Sequence, residues 1–151
     1  PPKLEVMWDD SSWSTGSLSP LTSTNLERLK VYFQNLRTEY KEGSKTKLRV
    51  VGRELYPTTT FASTPAELTI KYLPSASAFY SVRDAETEEV IIPFGTGSKI
   101  SCDSTSNYFN LWMDGFQPER FYRFEIKVVS GSGANQTSMI YDDGFEFKVV
   151  R

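Results

Sequence analysis

The sequence contains no histidine, which removes the commonest general base, the usual zinc ligand and the Ser-His-Asp and Cys-His triads. It contains one cysteine, Cys102, so no intrachain disulfide can form. A domain that stands on packing alone fits assembly inside a cell. No apolar stretch approaches the roughly 20 residues needed to cross a bilayer as a helix. The longest, Val90-Ile91-Ile92-Pro93-Phe94, has strand length and runs into glycine. A basic excess is also missing: Lys and Arg number 17 against 19 Asp and Glu, which argues against a nucleic-acid module. The start, Pro1-Pro2-Lys3-Leu4, lacks the basic and apolar regions of a signal peptide, and the missing initiator Met points to a removed upstream segment.

What the chain does have is aromatic weight, 14% of 151 residues, and each such ring buries a large area for the backbone it orders. The length suits one domain, or one domain with a small companion. Residues 1–25 read as a Ser/Thr-rich arm with little to bury except Trp8 and Trp13. An otherwise polar arm carrying two tryptophans is expected to be tethered, either to its own domain or to a neighbour.

From Leu26 onward apolar residues alternate with polar ones at period two, the mark of half-buried strands. Leu29, Val31 and Phe33 form one such set, and Leu48 and Val50 alternate with Lys47, Arg49 and Val51. These two strands, joined by a polar connection over 35–43, are expected to form a hairpin or small subdomain within 26–63. Leu26 to Arg37 is also the best helix candidate, with Thr24 or Asn25 as a cap, but Val31-Tyr32-Phe33 favours a strand. Residues 64–151 carry the rest. Leu68, Ile70 and Tyr72 alternate; Phe79–Val82 and Val90–Ile92 flank an acidic turn; Tyr108–Met113 is an aromatic strand. Tyr122, Phe124, Ile126 and Val128 face inward with Arg123, Glu125 and Lys127 in water, and Phe145, Phe147 and Val149 close the series. About nine or ten strands at these spacings predict an all-β, antiparallel two-sheet sandwich.

Within 64–151, Phe116-Gln117-Pro118-Glu119-Arg120-Phe121-Tyr122 resembles the stretch leading into strand F of fibronectin type III domains. An apolar residue, a proline two later and a tyrosine four after that are all present, as Phe116, Pro118 and Tyr122. Tyr108-Phe109-Asn110-Leu111-Trp112-Met113 resembles strand E of the same family. The resemblance implies an immunoglobulin/fibronectin III-like fold with a tyrosine corner, in which the ring packs inside and the hydroxyl bonds back to the connecting backbone. Tyr72 stands where that family carries a tryptophan, which makes an immunoglobulin-like variant an equal reading. The aromatic strands, Ser/Thr/Gly loops and the ending Tyr141-Asp142-Asp143-Gly144-Phe145-Glu146-Phe147-Lys148-Val149 resemble, in style, structural proteins of tailed-bacteriophage virions. That implies a particle assembled in the host cytoplasm.

The search for chemistry yields no catalytic, cofactor-binding or metal-binding residue. Cys102 beside Asp103 reads as a small semi-buried residue at a strand end. Asp9-Asp10, Glu88-Glu89 and Asp142-Asp143 read as solvated turns, because adjacent carboxylates on a strand point to opposite faces. Asp103, Asp114, Asp142 and Asp143 could offer oxygens to calcium, yet they form no EF-hand loop. Gly95-Thr96-Gly97-Ser98-Lys99 lacks the spacing and following helix of a P-loop, and Gly131-Ser132-Gly133 reads as a hairpin tip. Asn135-Gln136-Thr137 marks a surface loop. A basic stretch from Arg28 to Arg53 opposes the acidic turn Asp84 to Glu89, a pairing that could steer head-to-tail contacts. Trp8, Trp13 and Trp112 are the candidate interaction residues. The expected function is that of a non-enzymatic structural or interaction protein, a virion assembly or decoration component. Its partners would be protein subunits or copies of itself, with no nucleic acid and no membrane. A carbohydrate-binding or adhesion module is the alternative, with aromatic rings as sugar platforms.

Overall fold

The computed structural model describes residues 2, 4, 6–21, 25–57, 61, 64, 68–74 and 77–151. Among these, twelve strands follow in chain order: β1 (Ser19–Pro20), β2 (Leu29–Phe33), β3 (Glu39–Lys41), β4 (Lys45–Glu54), β5 (Lys71–Tyr72), β6 (Ala78–Asp84), β7 (Val90–Ile92), β8 (Ser101–Cys102), β9 (Asn107–Trp112), β10 (Arg120–Ser130), β11 (Thr137–Tyr141) and β12 (Glu146–Val150). The protein is all-β. Its only helical pieces among the described residues are 3-10 turns of three residues each.

Two sheets form, each built on one long strand. In the first, β4 pairs with β2 on one side and with β9 and β5 on the other; β8 extends β9 and β1 extends β5. In the second, β10 pairs with β6 on one side and with β12 and β11 on the other; β7 extends β6 and β3 extends β12. The strands of residues 26–63 therefore hydrogen-bond directly to those of 64–151.

The sheets face each other across one apolar layer, as in a β-sandwich. Val31, Leu48, Val50, Phe109 and Leu111 come from the first sheet, and Tyr80, Val82, Phe124, Ile126, Val128 and Phe147 from the second. The period-two pattern puts them there: on β10, Phe124, Ile126 and Val128 are wholly buried. Aromatic rings fill most of the layer. Tyr80 stacks on Phe109 across the sheets with centroids 4.0 Å apart, and Phe124 stacks on Phe147 at 4.6 Å. Phe33 meets Phe109, Phe124 and Phe145 in the same cluster. Each such ring pair adds on the order of 1 kcal/mol beyond the area it hides.

At the approach to β10, the Tyr122 ring packs 4.9 Å from Phe116, with Pro118 half-buried beside it. The Tyr122 hydroxyl accepts from Gln117 N–H at 2.8 Å and donates to the Gln117 carbonyl. A polar tip on an apolar ring thereby satisfies both backbone groups of a residue in the arch.

Four expectations need correction. The sheets are mixed rather than wholly antiparallel: β1 runs parallel to β5 and β3 parallel to β12. These are edge strands reached by long connections, and a crossover of that kind can arrive in either direction. The polar connection over 35–43 contains β3, whose Tyr40 is buried against Phe147. One aromatic between two charged residues is too short a pattern to show period two. Strand character over 68–72 is confined to β5; Leu68 is exposed and the buried anchor is Leu73. The alternative cap Thr24 lies outside the described residues. Finally, Glu125 is not in water but 6% exposed. Arg83 Nε lies 3.0 Å from its Oε2 and Arg123 at 3.7 Å from its Oε1. Neighbouring side chains on the outer face of the second sheet roof it over, and the two cations balance its charge.

The 3-10 turn Leu26–Arg28 leads into β2. The Asn25 side chain accepts from Glu27 N–H at its start, and β2 begins where the β-branched and aromatic residues do.

Candidate interaction surface

The N-terminal arm is pinned to its own domain from Asp9 onward. Asp9 pairs with Lys99 at 2.6 Å. Cys102 N–H donates to Ser12 C=O and Ser14 N–H to Cys102 C=O, so Trp13 forms a parallel bridge with Cys102. The Ser12 hydroxyl meets the Tyr108 hydroxyl at 2.8 Å, and Ser12 N–H donates to Ser101 Oγ. Gly16 crosses the 103–106 loop so closely that a Cβ there would sit 2.7 Å from that of Ser104. The arm then ends as β1 along β5. It thus forms the edge of the first sheet, covering β8 and β5 in turn.

Ahead of this pinned stretch, Leu4, Val6, Met7 and Trp8 are all exposed, Trp8 to 75%. Met7 approaches Gly95, so the segment leaves the domain beside the turn over 95–99.

The three candidate tryptophans occupy different places. Trp13 is half-buried, its ring edge-on to Tyr72 at 5.9 Å. Trp112 ends β9 on the outer face of the first sheet and is 57% exposed. About 16 Å of strand separates it from Asn107, the β9 residue that pairs with Cys102. Trp8 stands on the free segment.

The outer face around Trp112 gathers the basic stretch singled out in the sequence. Register places Lys45 opposite Trp112, Lys47 opposite Asn110 and Arg49 opposite Tyr108. Lys45 Nζ lies 4.9 Å from the Trp112 ring centroid and Lys47 Nζ 3.8 Å from that of Tyr108. Such cation–π contacts contribute roughly 0.5–1 kcal/mol when exposed. Arg49 grips Asp103 through both NH1 and NH2 at 3.0 Å. Those bonds, with the backbone N–H groups of Ser106 and Thr105, hold the Asp103 carboxyl well below the ordinary carboxylate range.

No protein-family model, curated protein or solved structure matches this chain.

The remaining candidates are scattered among separate partners. Burial pushes the Cys102 thiol up to about 11, with the Asp103 charge adding to it, which leaves it without thiolate character near neutrality. Glu88 pairs with Arg123, Asp142 lies 3.7 Å from Arg123, and Asp143 bonds Lys30 at 2.7 Å. No group of three or more potential metal ligands forms among the described residues. The opposed charge patches are largely neutralised within the molecule: Asp84 bonds Arg120, Glu88 bonds Arg123, and Lys47 and Arg49 bond Asp103. Sequence reasoning missed the meeting of Asp10, Tyr80 and Asn110 around one cavity. They come from the arm, β6 and β9, so no spacing could have linked them.

Proposed function

We propose that this chain is an immunoglobulin-like, non-enzymatic interaction module that joins a larger protein assembly through its N-terminal segment. One observation carries the reading. Four apolar side chains, Leu4, Val6, Met7 and Trp8, stand exposed immediately before a stretch anchored by an ion pair and a run of backbone hydrogen bonds. A soluble surface rarely holds such a run without a partner to cover it. Anchoring the next residues cuts the entropy lost when the segment docks.

The immunoglobulin-like reading draws support from strand order. β2-β4-β9-β8 in one sheet and β7-β6-β10 with β11/β12 in the other match two Greek-key-linked sheets, with β3 returning to pair parallel with the last strand. The Tyr122–Gln117 hydrogen bonds support it at the arch.

The partner that fits is a subunit of the same assembly, and the molecule itself offers a matching seat. Among the described residues β7 pairs with β6 alone, and its Val90 and Ile91 are exposed. An open apolar edge of this kind is a place for strand addition. Segment on edge is a heterologous contact, which builds rings or filaments of the kind a virion uses. Sedimentation of the full chain should show concentration-dependent association. Trp8→Ser and Ile91→Lys should each abolish it with the fold intact. A chain that stays monomeric up to about 100 μM, where even weak pairs of roughly −5.5 kcal/mol assemble, would rule this partner out.

A further inference from the structure

From Met7 to Ser14 the arm runs alongside residues 95–102 in the same direction, nearly residue for residue. Met7 lies against Gly95, its methyl carbon 3.9 Å from where a Cβ would stand. Asp9 pairs with Lys99. Trp13 bridges Cys102 in parallel, with Ser14 N–H on the Cys102 carbonyl. Residues 95–102 carry the chain from β7 in the second sheet to β8 in the first. The arm therefore follows that crossing in reverse, from the edge of the first sheet toward β7.

Gly95 is fully extended, with φ 170° and ψ −169°. Three residues before it stands Ile92, the end of β7, and three residues before Met7 stands Leu4. At about 3.3 Å per residue on both sides, an arm that holds its course brings Leu4 beside Ile92 and Pro2 beside Val90. The sequence there suits an edge strand, since Lys3-Leu4-Glu5-Val6 alternates charged with apolar residues. In this register Leu4 shares the face of Ile92, which packs against the core. The charged residues take the outer face, and charges with a proline guard a sheet edge against further pairing. In the structure Leu4 and Val6 are 92% and 68% exposed. Apart from its ladder to β6, β7 takes one hydrogen bond among the described residues, from the Ser81 hydroxyl to the Ile92 carbonyl.

We propose that the segment around Leu4 and Val6 adds to the free edge of its own β7 as a parallel strand. Segment and seat are those on which the assembly reading rests, and they meet within one chain before they meet between copies. A segment tethered this closely faces its own seat at an effective concentration on the order of 1 mM. A neighbour's segment enters only after the chain's own has left, so the contact between copies is a strand exchange. The self-held form keeps the dilute chain from assembling.

The test places a nitroxide on the full chain through Leu4→Cys or Pro2→Cys; Cys102, 1% exposed, takes none. Amide NMR signals are read on isotope-labelled chains that carry the nitroxide. They are read again on a mixture in which only the unlabelled copies carry it, which reports contacts between copies alone. Within one chain, the Leu4→Cys nitroxide should broaden Ile92 most and the Pro2→Cys nitroxide Val90 most. Adding Val6→Asp should erase that gradient. Amide exchange at one or more of Val90–Ile92 should then quicken roughly threefold to tenfold, as for a seat filled about two-thirds to nine-tenths of the time, while Phe124 exchanges as before. The proposal is overturned if the two nitroxides broaden β7 alike, in the reverse order or not at all. It is also overturned if broadening appears only in the mixture, or if Val6→Asp leaves exchange at β7 unchanged. Sedimentation reads assembly separately. A self-seated chain that stays monomeric ends the assembly reading and leaves this one standing, while association with broadening confined to the mixture does the reverse.

Discussion

Asp103 ties together the outer face of the first sheet where β4 meets the 103–106 loop. It accepts from Arg49 and Lys47 and from the backbone N–H groups of Thr105 and Ser106. All of these favour the ionised carboxylate, the Arg49 bonds most, so its folded-state pKa lies below its unfolded value. The sign follows. Its stabilisation is complete above the ordinary carboxylate pKa of about 4 and disappears as pH falls toward the folded value. Asp103→Asn should therefore lower stability by on the order of 2 kcal/mol at neutral pH. It should also flatten the loss between about pH 4 and pH 2, read as urea midpoints across that window. Equal acid losses in the two proteins would show that other carboxylates carry the effect.

At the scale of elements, the arm behaves as one more edge strand, and Gly16 is its hinge point. Its φ of +54° is left-handed, and a side chain there would also meet the Ser104 backbone, 3.0 Å from Cα. Gly16→Ala should cost about 1–2 kcal/mol locally. The effect should appear as faster amide exchange at Ser14 and Cys102, whose N–H groups hold the arm in place. The Phe124 amide, bonded to Phe145 C=O within the second sheet, should exchange as before. Unchanged protection at Ser14 would mean that the arm is held elsewhere.

The same scale shows what was legible in the sequence. β2, β4, β6, β9, β10 and β12 could be read because each has several residues alternating between a core face and an outer face. The same alternation sets Trp112 opposite Phe109 and Leu111 but leaves open which face is outside; the structure buries the latter two and leaves Trp112 57% exposed. The short edge pieces β1, β3 and β8 have two or three residues each; no periodicity can build up over that length. Parallel pairing was equally hidden, since alternation tells which face a residue takes and nothing about its neighbour's direction. Glu125 alternates as an outer residue should, yet burial on that face depends on Arg83 and Arg123 from two strands. The cavity lined by Asp10, Tyr80 and Asn110 is a product of tertiary arrangement alone.

For the whole molecule, one aromatic layer joins two sheets whose centres, β4 and β10, are the longest strands. The exposed apolar side chains sit at the periphery: Leu4, Val6, Met7 and Trp8, the β7 edge and the Trp112 face. The parallel pairing of β3 with β12 has a mechanical meaning. Tension entering from the N-terminal side draws β3 backward along its axis while tension at Arg151 draws β12 forward. The bonds between them, Lys148 N–H to Thr38 C=O and Glu42 N–H to Val150 C=O, lie across that pull and must yield together instead of unzipping singly. Lys148→Pro removes the first of them from the side facing β3, and single-molecule stretching should then find a lower rupture force. A domain clamped in this way resists being pulled open from its two ends.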